Sequence, residues 1–257
     1  MPSLANQRAL VIGVANERSI AWGIARALGR EGARLGFTFL GDSLERRVRP
    51  LAESVGAELI APCDVTDDAQ IDALYAEVDR VWGGLDILIH AVAFANRDDL
   101  SGRFVDTNRA GFQLALDVSA YSLVALVRGA LPRMAASGGG SVLTLTFAGS
   151  ERVFPNYNVM GVAKAALEAC VRYLAADVGA AGVRVNAISA GPIKTLSAAG
   201  IRGFRDMLHV AQERAPLKRN VTPEDVGELA LALAGPAGAG ITGQTIYVDA
   251  GLSILGV

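Results

Sequence analysis

Short apolar runs recur along the chain, and most are followed by a longer stretch in which apolar positions return every three or four residues. The short runs lie at residues 9–12, 34–40, 57–61, 85–90, 141–147, 183–188 and 245–248. The stretches with helical periodicity lie at 20–31, 69–82, 111–136, 157–179 and 223–233. Near-continuous apolar strands separated by helical crossovers predict a parallel sheet with both faces covered, because parallel neighbours need a long connection. The expected architecture is a Rossmann-like, doubly wound, seven-stranded parallel α/β sheet in a single domain spanning residues 1–257. Ser137-Gly138-Gly139-Gly140 reads as the loop that ends a helix before the fifth strand, and Asp249-Ala250-Gly251 as the turn after the last. Residues 195–214 form the longest segment without a place in the sheet, which suits a lid.

Composition narrows the picture. With 257 residues, 51% of them hydrophobic, the chain has ample material for one core. A formal net charge of −2 gives no global attraction to nucleic acid or an anionic membrane. The partner is therefore expected to be a small molecule or a small acidic protein. Cys63 and Cys170 lack metal-ligand spacing and sit in apolar patterns, as inert reduced thiols do, and no metal site is expected. The N-terminal residues carry neither a signal-peptide pattern nor an 18-residue apolar run, so a cytoplasmic protein is expected.

The first strand runs into Gly13-Val14-Ala15-Asn16-Glu17-Arg18-Ser19-Ile20-Ala21-Trp22-Gly23 and then a helix, the place where a dinucleotide's pyrophosphate meets helix amides. Glycine lets the backbone approach, and Ser19 is expected to cap exposed amides. The spacing does not match Gly-x-Gly-x-x-Gly, so a plain strand-to-helix turn remains open. Asp64-Val65 follows the third strand, where the carboxylate either accepts from an adenine amino group or caps the next helix. His90 through Ala95, including Val92, follows the fourth strand with small residues suited to a flat ring. The second strand ends at Phe39-Leu40-Gly41-Asp42 without an adjoining base for a 2′-phosphate, which favours NADH over NADPH unless Arg46 or Arg47 reaches back.

Tyr157 and Lys164 stand seven residues apart. In a helix seven residues turn through about 700°, so both side chains leave one face about 10 Å apart along the axis and can share a site. Stabilising charge on a carbonyl oxygen during hydride transfer needs an acid in a water-poor site. Tyr157 supplies the hydroxyl. Lys164 supplies a positive charge expected to lower the phenol pKa, and a grip on the nicotinamide ribose. His90 closes a buried strand without an acidic partner readable from sequence and is expected to be structural.

The chain resembles the enoyl-acyl-carrier-protein reductases of the short-chain dehydrogenase/reductase superfamily. The resemblance covers essentially the whole chain and rests on Gly13 to Gly23, Cys63-Asp64-Val65, His90 to Ala95, Pro155 to Lys164 and Gly182 to Leu196. Ordinary carbonyl reductases of the superfamily place the pair four residues apart, not seven. The resemblance implies NADH-dependent reduction of the trans-2 double bond of enoyl chains held as thioesters on acyl carrier protein, in type II fatty-acid synthesis. It implies a homotetramer, and a stretch from Ile193 through Lys194, Thr195 and Leu196 to Ser197 packed along the nicotinamide and pyrophosphate. It further implies an acyl site made of Ile201, Phe204, Met207 and Leu208 facing Phe94, Ala95, Leu100, Phe147 and Met160. Ile201, Phe204 and Leu208 equally fit the core face of a helix.

Three departures stand out. Many members carry a second tyrosine where this chain has Phe147, so the acid can only be Tyr157. Leu40 and Ala93 replace a glutamine and a glycine found in some members. On the lid, Arg202 and Arg205 keep basic character toward an acidic carrier, while Asp206 replaces a base; a merely solvated face remains open. A carbonyl-reducing dehydrogenase and an inactive dinucleotide-binding scaffold are the competing functions.

Overall fold

The computed structural model describes residues 3–196, 198 and 202–256; the predicted site positions Ser197 and Ile201 lie outside them. Seven strands form one all-parallel sheet: β1 (Arg8–Ile12), β2 (Arg34–Phe39), β3 (Leu59–Pro62), β4 (Ile87–His90), β5 (Gly140–Thr146), β6 (Val183–Ala190) and β7 (Thr245–Val248). The order β3-β2-β1-β4-β5-β6-β7 reverses between β1 and β4, the crevice where doubly wound sheets bind ligands. Alternation along β1 shows how both faces are covered. Leu10 and Ile12 join a core with Tyr75, Leu126 and Val171, whereas Ala9 and Val11 join a second with Ile24, Phe37 and Val226.

The first face is covered by α3 (Asp68–Trp82), α6 (Ser122–Ala136) and α7 (Asn158–Val178), the second by α1 (Ile20–Arg30), α2 (Gly41–Ser54) and α9 (Pro223–Ala234). Helices α4 (Arg97–Leu100), α5 (Arg109–Leu116) and α8 (Phe204–Arg214) complete the set used below. Helices α1 and α9 approach so closely that a Cβ on Gly23 would overlap the Pro223 backbone, and one on Gly227 would lie 2.7 Å from the Gly23 carbonyl. Gly23, predicted as part of the phosphate loop, therefore serves helix packing.

Residues 111–136, expected as one helix, are divided. A π-helical turn at Asp117–Tyr121 separates α5 from α6. The combined stretch Arg109–Ala136 contains an 18-residue window apolar enough to cross a membrane, yet half of that window is buried within the fold. Packing against α3 and α7 accounts for the buried half.

Candidate active site

A cavity of about 550 Å³ opens at the carboxyl ends of β1, β4, β5 and β6, and a second of about 400 Å³ continues it toward β2 and β3. They share Gly13, Ala15 and the segment from Ala91 to Phe94. Gly13 has φ of 110°, and a Cβ there would overlap the Ala91 carbonyl, so only glycine lets β1 end this close to β4. Ser19 does not cap α1 as expected. Its Oγ accepts from the amides of Ala15 (3.0 Å) and Asn16 (3.1 Å), holding the loop in shape, while its carbonyl accepts from Trp22 and Gly23. The amides of Ile20 and Ala21, whose residues line the larger cavity, have no partner among the described residues. An open helix N-terminus beside a close-approach glycine fits a pyrophosphate.

Leu40, Asp64, Val65 and Val92 line the smaller cavity, as a site for the adenosine half requires. Asp64 accepts from the amide (2.9 Å) and hydroxyl (2.7 Å) of Thr66, and the neighbouring Asp67, not Asp64, caps α3. The capping alternative for Asp64 is therefore excluded. Arg46 and Arg47 are exposed on α2 and outside the lining of this cavity.

Tyr157 and Lys164 both line the larger cavity and both are buried, at 8% and 6% exposure. Tyr157 lies one residue ahead of α7 with φ −111° and ψ −28°, so the ideal-helix argument begins one residue early, although the shared site it predicted is present. Lys164 Nζ donates to the Leu145 carbonyl at 2.7 Å. Burial lowers its pKa to about 8, partly opposed by the Glu168 charge. For Tyr157 the expected direction is reversed. Burial, reinforced by the charge of Glu168, raises the phenol pKa well above its ordinary value, so the hydroxyl stays protonated. Phe147 stands edge-on to the Tyr157 ring with centroids 5.2 Å apart, and Phe154 lies 4.8 Å beyond it.

The remaining wall is apolar. Phe94, Ala95, Leu100, Met160, Phe204 and Met207 converge on it with Ile193, Thr195 and Leu196. Lys194 is exposed and outside this lining, because Ile193 and Thr195 turn inward on either side of it. Leu208 is also outside the lining, one position beyond the inward-facing Met207 on α8.

The family model described as "Enoyl-(Acyl carrier protein) reductase" matches residues 13–253. The chain belongs to the enoyl-acyl-carrier-protein reductase family. An enoyl-[acyl-carrier-protein] reductase [NADH] of Nostoc sp. is 52% identical over 260 residues, covering all of both chains. One from Rhizobium meliloti is 51% identical over 98% of this chain and 92% of its own. The crystal structure of the Bacillus cereus enoyl-acyl carrier protein reductase with NADP+ and an indole naphthyridinone superposes with TM-score 0.97 at 52% identity, covering 100% of both chains.

Within this enoyl reductase frame, several supporting residues escaped the sequence. Ser119, on the π-helical turn, accepts from the Phe94 amide at 3.0 Å and donates to its carbonyl, and so fixes the loop that carries Phe94 and Ala95 into the site. Leu145 offers a carbonyl to Lys164, and Thr146 a hydroxyl to Glu168. None has a spacing signal, since each acts across elements distant in sequence. His90 is structural, as expected. Its Nε2 lies 2.8 Å from Ser122 Oγ, whose own hydrogen goes to the Val118 carbonyl, so Nε2 is the protonated nitrogen and Nδ1 accepts from Thr144. Burial, aided by the charge of Lys164, lowers its pKa to about 3. The Cys63 thiol is raised by burial to about 11, consistent with an inert side chain.

Proposed function

We propose that Tyr157 and Lys164 reduce the trans-2 double bond of enoyl thioesters, the reaction of an NADH-dependent enoyl-acyl-carrier-protein reductase. The observation that carries this reading is a buried, protonated Tyr157 hydroxyl beside Lys164 in the wall of an otherwise apolar cavity. Bound in this site, the dinucleotide would supply a hydride for the β-carbon of the enoyl chain. Tyr157 donates a hydrogen bond to the thioester oxygen as it gains charge, and a proton taken from solvent at the α-carbon converts the enolate to the saturated thioester. Lys164 contributes positive charge and would hold a ribose hydroxyl of the dinucleotide. The amides of Ile20 and Ala21 with Gly13 and Ser19 would hold the pyrophosphate, Leu40, Asp64 and Val65 the adenosine, and Val92, Ile193, Thr195 and Leu196 the nicotinamide half. Phe94, Ala95, Leu100, Phe147, Met160, Phe204 and Met207 exclude water from the acyl chain.

The chain would act as one cytoplasmic domain with a lid at residues 195–214, assembled as a homotetramer without a membrane or nucleic-acid partner. Acyl carrier protein is the donor, met at the lid by Arg202 and Arg205, both exposed. The absence of a base adjoining Leu40 favours NADH. Consumption of NADH and NADPH with crotonyl and acetoacetyl thioesters tests this reading. Oxidation of NADH with the crotonyl substrate alone is expected. Preference for the acetoacetyl substrate, or binding without turnover from four to twelve carbons, overturns it.

A further inference from the structure

Helix α7 places Glu168 one turn beyond Lys164, and the carboxylate is as buried as the amine, at 7% exposure. Glu168 Oε1 accepts from Thr146 Oγ1 at 2.6 Å, while Lys164 Nζ donates to the carbonyl of the preceding residue, Leu145. Two adjacent residues of β5 thus tie down two opposite charges on α7. A single hydroxyl does not offset the cost of burying a carboxylate in the protein interior, so a nearby cation is needed. We propose that Glu168 is a positioning residue whose carboxylate, fixed by Thr146, is the buried counter-charge that keeps Lys164 an ammonium at neutral pH. The assignment of Lys164 to the cofactor rests on the reductase reading above.

The other titratable groups around the pair do not supply that charge. His90 on β4 is buried and neutral, and its low pKa partly reflects the charge of Lys164. Tyr157, at the start of α7, is protonated, and Tyr247 on β7 is raised to about 12 by burial and by the carboxylates of Glu151 and Glu168. Desolvation already brings Lys164 down to about 8 with the Glu168 charge present. Without that charge the amine would lose its proton within the working range. Glu168 touches neither cavity, so its influence on the site runs through Lys164 and Thr146.

The chain has three lysines, Lys164, Lys194 and Lys218, of which the last two are exposed. Labelling lysine with ¹³C at Cε therefore lets Lys164 be titrated by NMR in the protein without cofactor. In Glu168→Gln, which keeps an acceptor for Thr146, the Lys164 midpoint is expected to fall by about one pH unit. NADH affinity should match the parent at pH 6.5 and weaken several-fold at pH 8.5. An unchanged midpoint overturns the proposal. If Glu168→Gln fails to fold, Glu168→Met removes the same charge without leaving a buried amide, and an unchanged Lys164 midpoint there overturns the proposal. Parent protein that never oxidises NADH with crotonyl thioester would remove the reductase reading but leave the lysine titration to judge the counter-charge.

Discussion

In the proposed reaction Tyr157 carries the acid chemistry alone, because the ring beside it at position 147 has no hydroxyl. Tyr157→Phe keeps the aromatic contact with Phe147 and removes only the hydrogen bond. Turnover of crotonyl thioester should fall about 10²–10³-fold, the usual effect of losing one oxyanion donor, with NADH affinity within about twofold of the parent by fluorescence titration. Retained turnover would remove Tyr157 from the role. His90 gives a second test, on stability. Its folded pKa of about 3 lies below the unfolded value near 6.5, so the unfolded chain binds more protons between those limits. Its contribution is complete above about pH 6.5 and declines as pH falls toward 3, by up to about 1.4 kcal/mol per pH unit. Urea unfolding of the parent between pH 7.5 and 5 should show that loss, and His90→Gln a flatter dependence. At this scale the Tyr157 and Lys164 pair was legible because both residues lie close in sequence. Glu168, Leu145 and Ser119 were not, since their roles depend on contacts between α7, β5, β4 and the π-helical turn.

Elements with a broad apolar stripe were legible, and those whose sequence serves geometry were not. Helix α2 buries only Val48 and Ala52 and contains Pro50, so few apolar positions mark it among its charged residues. The π-helical turn shares the composition of the helices it joins, and only its hydrogen bonds reveal it. Gly23 was legible as a loop glycine, but its role is contact with α9. Gly23→Ala should therefore lower stability by about 1–3 kcal/mol through backbone overlap, while soluble protein binds NADH about as tightly as the parent; a matching loss of affinity would return Gly23 to the cofactor loop. Helix α8 lines the larger cavity, the proposed acyl site, through Phe204 and Met207. Phe204→Ser should raise KM for a twelve-carbon enoyl thioester several-fold more than for crotonyl thioester, because the shorter chain buries less surface. Equal effects on both chain lengths would place the acyl chain elsewhere.

On the scale of the whole molecule, the parallel order follows from alternating strands and helices, whereas assembly depends on surfaces that no periodicity announces. Strand β7 ends the sheet with all four residues only half-buried, leaving an open edge. Beyond it the C-terminal tail is pinned by Arg152, which donates to the carbonyls of Ser253 (2.8 Å) and Leu255 (3.2 Å). Ile254 and Val153 remain 78% and 99% exposed on either side of that clamp. Apolar residues exposed beside an unpaired edge fit a surface covered by another copy in a closed, symmetric assembly. Arg214, the last residue of α8, also donates to the Gly256 carbonyl at 3.2 Å, so the tail connects this surface to α8, part of the proposed lid. Ile254→Glu should accordingly lower the assembly state in sedimentation velocity. If the tail transmits the contact, the same variant should raise KM for long enoyl thioesters while NADH affinity stays near that of the parent. A tetramer of undiminished stability would place the interface on another face, and a smaller assembly with unchanged KM would break the link between tail and lid.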